Sequence, residues 1–455
     1  MIESLRDDVE TLPAPSKGAG GNAPHRAHWF PVAFEVDLDP AAPTRVTVFG
    51  TGYVLFRDAK GALNCLPDRC PHRCARLSDG RVEGGRIECM YHGWTFDGEG
   101  TCARIPQLAP DQSIPRRANL DAIPLEIVQG IVWIWGGPIA DADPERIVRN
   151  PELDRPGVKT IDYATDLPYG QEAFVENVLD FAHIHIAHDG ARGGGHRAHA
   201  GPLSFDVEDL GPRGFRARFL SQTVDEGASG ATTAGATVTF DAPNLVHYVS
   251  TFDDEDRVGG LALFSIPLEH DRCRMIYRAY GNAWPQRDLK RPRWREHIYQ
   301  MELLEQDMAV VLGQTQELRD ESRSLRDVWL PIKSSDQLVL QYRRWIDEHA
   351  ADTPGALGWR TRNDVEPTRE PIRIDRFALH TSQCRDCRAA LALMKRVRSG
   401  AHAGAFGGLL AAALLTGPLR IVAALVAVGA LGAAARARRW IDALTRGPRT
   451  AGTWR

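Results

Sequence analysis

The sequence predicts an α+β fold in which a small antiparallel β domain is followed by a larger mixed domain and an apolar helical hairpin. The β-branched and aromatic runs "RVTVFGTGYVLFRDAKGALN" and "IVQGIVWIWGG" are broken by Gly turns, which is typical of antiparallel strands. Beyond Pro138 strand runs such as "ATVTFDAPNLVHYVSTF" mix with helical periodicity near 171–188 and 291–318. Residues 403–435 are almost wholly apolar. The chain shows no alternating βαβ period and no internal repeat.

Composition limits the function classes before any motif is considered. A chain of 455 residues with 43% hydrophobic content can bury more than one core. The formal net charge of −4 gives no reason to expect a nucleic acid as partner. Eight cysteines are too few for a disulfide-built secreted scaffold, and the N-terminus has no apolar signal segment. We therefore expect cysteines that are reduced, metal-bound or redox-active.

Shifts in composition divide the chain into six predicted segments. Polar, Gly- and Pro-rich sequence predicts a flexible arm at the N-terminus, and a second polar stretch separates the two folded domains. The segments are the N-terminal arm (1–24), the small β domain (25–140), the mixed domain (141–370), a C-x-x-C segment (371–400), apolar helices at a membrane (401–440) and a basic tail (441–455).

Two Cys/His pairs with a fixed spacing lie in the small domain. They are Cys70-x-His72 and Cys89-x-x-His92, in "CPHRC" and "CMYHGW". Four such ligands could hold a tetrahedral zinc ion. In a Rieske 2Fe-2S centre, however, one iron takes both thiolates and the other both imidazoles, so each loop must supply one ligand of each kind. The mixed pairs therefore favour a Rieske cluster, and the cysteines outside the spacing are expected to be plain core or surface residues (Cys65, Cys74 and Cys102).

A second cluster of histidines follows in the mixed domain, in "FVENVLDFAHIHIAHDG". Asp180 and His183 are three residues apart and share one face of a helix, while His188 lies about 140° further round. Both imidazoles can reach one metal only if the helix breaks or widens between them. Two His and one carboxylate form the site of non-haem iron(II) oxygenases. His185 is expected to be structural, and the Asp180 carboxylate can accept the outer N–H of the His183 ring.

At this point the chain resembles the Rieske non-haem iron oxygenases, and within them the pheophorbide a oxygenase branch. The resemblance rests on the order of motifs along nearly the whole chain: "HWFPV", "CPHRCARLSDGR", "CMYHGWTFDGEGTCARIPQ", "ENVLDFAHIHIAH", "LPIKSSDQLVLQYRRW" and "HTSQCRDC". It implies a Rieske domain followed by a helix-grip (START-like) catalytic domain. It also implies a mononuclear Fe(II) with O2 as co-substrate.

The resemblance also implies roles for two carboxylates. The third iron ligand of the family is an Asp on a late helix, and "LLEQDMAVVLGQ" offers Asp307. Glu302 and Glu305 are rivals that we expect to form a solvated helix face. The family residue that matches Asp180 bridges the iron-ligating His to a Rieske His of the neighbouring subunit. The resemblance thus implies electron transfer through Asp180 in a homotrimer.

Cys384 and Cys387 form a C-x-x-C pair outside both motifs. Such a pair can be redox-active, with its thiolate stabilised by Arg385 or Arg388, or it can bind a metal together with a second pair. The chain holds no second unassigned C-x-x-C, which argues against zinc. The resemblance to plant members of the family implies a thiol switch, and a structural reduced pair is the alternative.

The apolar C-terminal segment is long enough for one membrane span or for two short ones joined around Pro418 and Arg420. Basic residues at both ends favour a hairpin whose two termini lie on the cytoplasmic side. An Ala/Leu-rich core or interface helix pair is the alternative. The basic flanks are Lys395, Arg396 and Arg398 on one side and Arg436, Arg438 and Arg439 on the other.

The predicted function is the oxidation of a hydrophobic substrate with O2. Because we find no flavin- or nicotinamide-binding motif, we expect a ferredoxin and its reductase to supply the electrons. Hydroxylation, ring opening or oxidative ring closure of a pheophorbide-like macrocycle or of an aromatic or pyrrolic secondary metabolite would fit. The alternative is a membrane-associated electron-transfer or redox-sensing Rieske protein that does not activate O2. Such a protein would not need His183, His188 and Asp307.

Overall fold

The structure is a computed structural model, and it describes residues 24–191, 194–220, 233–269, 271–283, 291–321, 323–353, 356–360 and 374–447. Nearly all of the predicted N-terminal arm and the end of the basic tail lie outside these residues. The chain forms two compact units. The first comprises Met1–Val32 and Pro40–Arg149, and the second Ala33–Asp39 and Asn150–Arg455.

The first unit is built from three small antiparallel sheets. Their strand orders are β1-β10-β9, β2-β3-β4 and β5-β6-β7-β8. The strands are β1 Trp29–Phe34, β2 Thr44–Val48, β3 Thr51–Arg57, β4 Leu63–Pro67, β5 Arg81–Glu83, β6 Arg86–Glu88, β7 Thr95–Phe96, β8 Cys102–Arg104, β9 Leu125–Val128 and β10 Ile131–Trp135.

The core of the first unit follows from its β-branched and aromatic runs. Every residue of β10, "IVWIW", is buried, as are Phe56, Ile87 and Phe96 near the two Cys/His loops. Gly80 is required where the first loop returns to the sheet, because a Cβ there would lie 2.0 Å from the carbonyl oxygen of Glu88. This close approach holds the first loop beside the strand that leads into the second loop.

The second unit contains a seven-stranded antiparallel sheet in the order β11-β17-β16-β15-β14-β13-β12. Six strands form a meander, and the first strand, β11, pairs with the last, so that Leu167 lies opposite Cys273. The strands are β11 Lys159–Leu167, β12 Phe205–Asp209, β13 Gly214–Phe219, β14 Thr233–Asp241, β15 Leu245–Phe252, β16 Gly259–Glu269 and β17 Arg272–Gly281.

Helices pack on this sheet and complete its core. Met301, Met308 and Tyr342 are buried against sheet residues such as Phe240 and Met275. The helices are α1 Gln171–Leu179, α2 Ile184–Ala187, α3 Arg293–Asp320, α4 Leu325–Val328, α5 Gln337–His349, α6 Arg385–Leu414 and α7 Gly417–Thr445, with a π-helical turn at Phe377–Thr381. The predicted α+β class, an antiparallel β domain before a mixed domain, is confirmed.

The apolar C-terminus is a pair of antiparallel helices, α6 and α7. Helix α6 ends at Leu414, and Gly417 opens α7 with a φ of 62°, a left-handed conformation that glycine adopts readily. A Cβ on Gly408 would lie 3.0 Å from the carbonyl oxygen of Ala423 and from the Cβ of Ala427, so the two backbones approach closely. By length and composition one of the two, α7, could cross a membrane.

Candidate metal centres

The two Cys/His loops of the first unit are short turns that follow strands β4 and β6. In the first, the amide of Cys74 donates to the carbonyl of Cys70 over 2.9 Å, and Cys74 has a φ of 59°. In the second, the amide of Gly93 donates to the carbonyl of Cys89 over 2.9 Å, and Gly93 has a φ of 74°. The two loops therefore have the same backbone turn, and each directs one thiol and one imidazole to the same side.

All four predicted cluster ligands come together at the ends of these loops. Cys70 and Cys89 are buried, and the rings of His72 and His92 lie 4.4 Å apart. The Trp94 ring stacks on His72 at 4.8 Å, which fixes the imidazole plane. The two thiols thus form one pair and the two imidazoles another, as a two-iron cluster with one thiolate-bound and one imidazole-bound iron requires.

A buried atom without a partner shows that the loops fit such a cluster. Among the described residues, the Nδ1 atom of His72 is buried and has no hydrogen-bond partner. Such an atom costs free energy unless something binds it. Burial, with a contribution from Cys89, raises the pKa of the Cys70 thiol to about 12. The thiol therefore keeps its proton at neutral pH unless a cation replaces it.

The second cluster is positioned by a break between two helices. Helix α1 ends at Leu179, and Asp180 leaves the helical conformation with φ −86° and ψ 88°. His183 and His188 then flank the one-turn helix α2. The break that the five-residue spacing requires is therefore present, and it turns both imidazoles toward helix α3.

Three predicted iron ligands meet at this break. The Nε2 atom of His188 lies 3.2 Å from Oδ2 of Asp307, and the Nε2 atom of His183 lies 3.7 Å from Oδ1. All three ligand atoms lie within 4.8 Å of one another. Two imidazoles and one carboxylate are the donor set of O2-activating non-haem iron sites.

Hydrogen bonds to the outer ring nitrogens fix both imidazoles. The Nδ1 atom of His183 donates to the backbone carbonyl of Asp180, and that of His188 donates to Oε1 of Gln306 over 2.8 Å. Because both acceptors are carbonyl-type oxygens, the protons sit on Nδ1 and the Nε2 lone pairs face Asp307. The residues therefore fit a bound iron ion.

Asp180 holds His183 in a different way from the one expected. Its carboxylate lies 3.8 Å from Nδ1 of His183 and accepts a hydrogen bond from the amide of Ala182 over 3.0 Å instead. The physical reason is the chain reversal after α1, which points the backbone carbonyl of Asp180 at the ring. Burial raises the pKa of the Asp180 carboxyl.

Gln306 was not among the predicted site residues. It precedes Asp307 on α3, and its amide oxygen holds the ring of His188, so two consecutive residues supply a ligand and the support of another ligand. Burial lowers the pKa of His188, but the neighbouring Asp307 carboxylate and Gln306 outweigh burial and leave it raised. The only signal in the sequence was its position beside Asp307.

The expectation of a solvated face for both rival carboxylates is wrong for one of them. Glu302 is exposed, but Glu305 is buried and takes a two-point hydrogen bond from the guanidinium of Arg376. Arg376 lies 71 positions further along the chain, where sequence spacing cannot reveal the pair. His185 lies outside the ligand cluster, and its Nδ1 accepts from the amide of His196.

A cavity of about 560 Å³ opens beside His183 and Asp307. This volume lies in the range of small-molecule sites. Besides the two ligands, its polar lining residues are Glu176, Asn177, Asp180, Gln314 and Asp336. Its apolar lining residues are Ala187, Val310, Val311, Val328, Trp329, Leu330, Pro331 and Val339.

The C-x-x-C pair lies in the second unit at the start of α6, where both thiols are buried. Both cysteines are free thiols. A hydrogen bond from the Cys387 thiol lowers the pKa of Cys384, and the same bond raises the pKa of Cys387. Two buried histidines that were not among the predicted site residues, His297 and His380, contact the pair.

Comparison with known proteins agrees with both the fold and the motifs. The family model of the Rieske [2Fe-2S] domain matches residues 28–124, and that of pheophorbide a oxygenase matches residues 240–324. Pheophorbide a oxygenase of Oryza sativa subsp. japonica is 31% identical over 402 residues, which cover 80% of this chain and 73% of that protein. A crystal structure of dicamba monooxygenase superposes with a TM-score of 0.59 at 22% identity over 71% of this chain and 96% of that one.

The Rieske domain and the fold that follows it define the class of Rieske non-haem iron oxygenases, whose cofactors are a 2Fe-2S cluster and a mononuclear iron. Within that class the chain belongs to the pheophorbide a oxygenase family. Protein TIC 55 of Arabidopsis thaliana is also similar, at 34% identity over 337 residues. The chain spans 61% of the length of that protein.

Proposed function

We propose that the chain uses O2 and externally supplied electrons to oxidise a hydrophobic aromatic or pyrrolic molecule. The observation that carries the proposal is the cluster of His183, His188 and Asp307, with both imidazoles held by carbonyl-type oxygens. When bound there, iron would supply O2 activation. A protein that only relays electrons would need no second metal site.

The chain's own residues would orient the iron ligands, bind the substrate and carry the electron. The Asp180 carbonyl and the Gln306 amide keep the two imidazoles in the tautomer that presents Nε2. Apolar lining residues such as Trp329 and Val339 would bind the substrate and keep water away. Asp180 lines the same cavity. In a homotrimer it would connect His183 to a Rieske histidine of a neighbouring subunit and carry the electron between the two metal centres.

Substrate chemistry is supported by the relatives and by the cavity. Two relatives are named after large aromatic substrates. They are pheophorbide a oxygenase of Oryza sativa and flavonoid 8-hydroxylase 2 of Ocimum basilicum, of which the latter is 29% identical to this chain over 413 residues. The apolar lining residues of the cavity suit such molecules. The proposed reaction is hydroxylation, ring opening or oxidative ring closure. The proposed substrate is a pheophorbide-like macrocycle or an aromatic secondary metabolite.

Electrons would enter at the basic surface of the first Rieske loop. Arg69, Arg73 and Arg76 are exposed in and next to the first loop. Such a surface suits an acidic ferredoxin, reduced in turn by its reductase.

The C-terminal helices would hold the protein at a membrane. Their contact is made by small residues such as Gly408 and Ala427, while large apolar side chains point outward, with Leu414 76% and Leu425 66% exposed. This inverted pattern is typical of helices in lipid. Arg398 and Arg436 lie at the same end of the hairpin, roughly 26–29 Å from its tip at about 1.5 Å per residue. That length matches a bilayer core of roughly 30 Å. The basic residues at this end support the proposal that the catalytic domains lie on the cytoplasmic side.

The test is the iron content and EPR spectrum of the anaerobically purified, dithionite-reduced protein. We expect three irons per chain with a Rieske signal, and two irons with an unchanged Rieske signal in His183→Ala. His185→Ala, a neighbouring histidine outside the cluster, is the matched control and should keep all three. Two irons in every sample would instead support the electron-transfer alternative.

A further inference from the structure

Four metal-ligating side chains that belong to neither centre described above converge in the second unit. They are His297 on α3, His380 in the π-helical turn, and Cys384 and Cys387 at the start of α6. None is more than 3% exposed. Their ligand atoms all lie within 4.8 Å of one another. The set therefore offers two sulfurs and two nitrogens around one buried point.

The distances agree with a tetrahedron around a single ion. Zn–N bonds of about 2.0–2.1 Å and Zn–S bonds of about 2.3 Å give edges of roughly 3.3 Å between nitrogens and roughly 3.6 Å between nitrogen and sulfur. Nδ1 of His297 lies 3.0 Å from Nε2 of His380. The measured N–S edges are 3.3 Å from His380 to Cys387, and 3.4 and 3.5 Å from His297 to Cys384 and Cys387.

The outer nitrogens of both rings are bound to backbone carbonyls of strand β11. Nε2 of His297 donates to the carbonyl of Asp162 over 2.9 Å, and Nδ1 of His380 donates to the carbonyl of Ala164. A carbonyl oxygen can only accept, so each outer nitrogen carries the ring's proton. The inner nitrogens of two neutral imidazoles then present lone pairs to one another.

Two facing lone pairs repel unless a proton or a cation lies between them. Both rings are almost fully buried, which disfavours an imidazolium at this place. A divalent cation bound by two thiolates and two neutral imidazoles has no net charge, so its burial carries little desolvation cost. Cys384 and Cys387 also lie at the N-terminal end of a 30-residue helix, which favours thiolates.

We propose that His297, His380, Cys384 and Cys387 bind one Zn²⁺ ion in a closed structural site. Binding replaces the two thiol protons, so two protons leave for each ion bound, and no electrons are transferred. Four protein ligands leave no position for water or substrate, which separates this site from the open one at Asp307. This proposal does not rest on the proposed oxygenase activity.

The site would fasten the C-terminal hairpin to the catalytic unit. Its ligands come from α3, the π-helical turn and α6, and its supporting carbonyls come from β11. The end of α7 joins the same cluster, since Leu444 is fully buried there and its carbonyl accepts from the hydroxyl of Thr381 over 2.6 Å. Loss of the ion would therefore loosen the hairpin while the other two metal centres keep their own ligands.

The first experiment measures zinc in the intact protein. We expect one Zn²⁺ per chain by mass spectrometry, with a K-edge absorption shell of two sulfurs at about 2.3 Å and two nitrogens at about 2.0–2.1 Å. The sulfur shell separates this site from zinc bound adventitiously at Asp307, which offers none. A full Rieske EPR signal in the same sample separates it from zinc bound at Cys70, His72, Cys89 and His92 in place of the 2Fe-2S cluster. Less than a tenth of an equivalent, a shell without sulfur, iron at this site, or a Cys384–Cys387 disulfide in anaerobic protein would overturn the proposal.

Variants then assign the ligands. Cys387→Ser and His297→Ala should lose the zinc, whereas Cys273→Ser, at an equally buried thiol of the same unit, should retain it. His183→Ala should retain the zinc and lose one iron, so that failure of the zinc site and failure of the oxygenase site are told apart. Retention of zinc in soluble Cys387→Ser would contradict the assignment, and the wild-type absorption shell decides if that variant does not fold.

Discussion

Gln306 and His188 are joined by a hydrogen bond of 2.8 Å between Oε1 and Nδ1, and the next residue on the helix, Asp307, contacts the other nitrogen of the same ring. One turn of α3 therefore both supports and completes the proposed iron site. Gln306→Leu should weaken Fe(II) binding by about 10- to 100-fold, the usual effect of losing such a support. Titration of iron-free protein measures it.

The control for this change lies on the same helix. Gln314 donates to Glu176 and does not contact the imidazoles, so Gln314→Leu should leave Fe(II) affinity within a factor of about two. Equal losses in both variants would mean that the helix, rather than the Gln306 bond, sets the affinity.

Asp180 allows a test of the electron path. Asp180→Asn should keep three irons and the Rieske signal, because the backbone carbonyl that holds His183 is unchanged. Product formation should fall to background if the carboxylate carries the path between subunits. Asp189→Asn changes a nearby surface carboxylate paired with Arg197 and should not affect turnover. If Asp180→Asn forms product at the parent rate, the Asp180 carboxylate does not carry electrons between subunits.

The basic surface of the first Rieske loop predicts how the protein receives electrons. Reversing the charge in Arg73→Glu/Arg76→Glu should slow reduction by an acidic ferredoxin by about tenfold or more at low salt, and added salt should shrink the difference. Reduction by dithionite, a small reagent, should be unaffected. Stopped-flow absorbance of the cluster records both rates, and slowing with both reductants would point to a damaged cluster instead.

The outward apolar face of α7 predicts membrane binding. The double variant Leu425→Glu/Val428→Glu places two charged side chains on this face. Inserting each charge into the centre of a bilayer costs roughly 2.5–3.5 kcal/mol. Flotation with lipid vesicles should show the variant in the soluble fraction and the parent protein with the vesicles. Val148→Glu changes an exposed valine in the first unit and should float like the parent. Flotation of the double variant would favour a protein interface on this face.

His247 predicts a loss of stability in mild acid. Burial lowers its pKa from 6.5 to about 4, and its Nε2 hydrogen-bonds the hydroxyl of Tyr280. Its neutral form stabilises the fold above pH 6.5, and this contribution, at most about 3 kcal/mol, is lost as the pH falls toward 4. His247→Gln should show a shallower decline of Tm between pH 6.5 and 4. A parallel decline in both proteins would assign the acid sensitivity elsewhere.

The sequence revealed those sites whose ligands are close together along the chain. The Rieske loops have all four ligands within 23 residues, and His183 and His188 are five residues apart. Asp307 has no local signature and was found only through family resemblance. His297 and His380 could not be found at all, because 83 positions separate them and the sheet brings them together.

The same reason explains the error at Glu305. Its helix pattern resembles that of its exposed neighbour Glu302, and its partner Arg376 comes from a distant segment. Sequence periodicity reports which face of a helix is apolar, but not whether a charged residue on that helix will meet an opposite charge in the core.

Because the first strand of the large sheet, β11, pairs with the last, β17, this pairing cannot form until late in translation. Leu167 finds its partner Cys273 only after β17 has been translated, and Ala164 meets His380 across 216 positions. At a translation rate of roughly 5–20 residues per second, about 5–20 s pass between the synthesis of β11 and that of β17. Until then β11 presents an unpaired edge, so the growing chain is most vulnerable to aggregation and most dependent on chaperones in this interval.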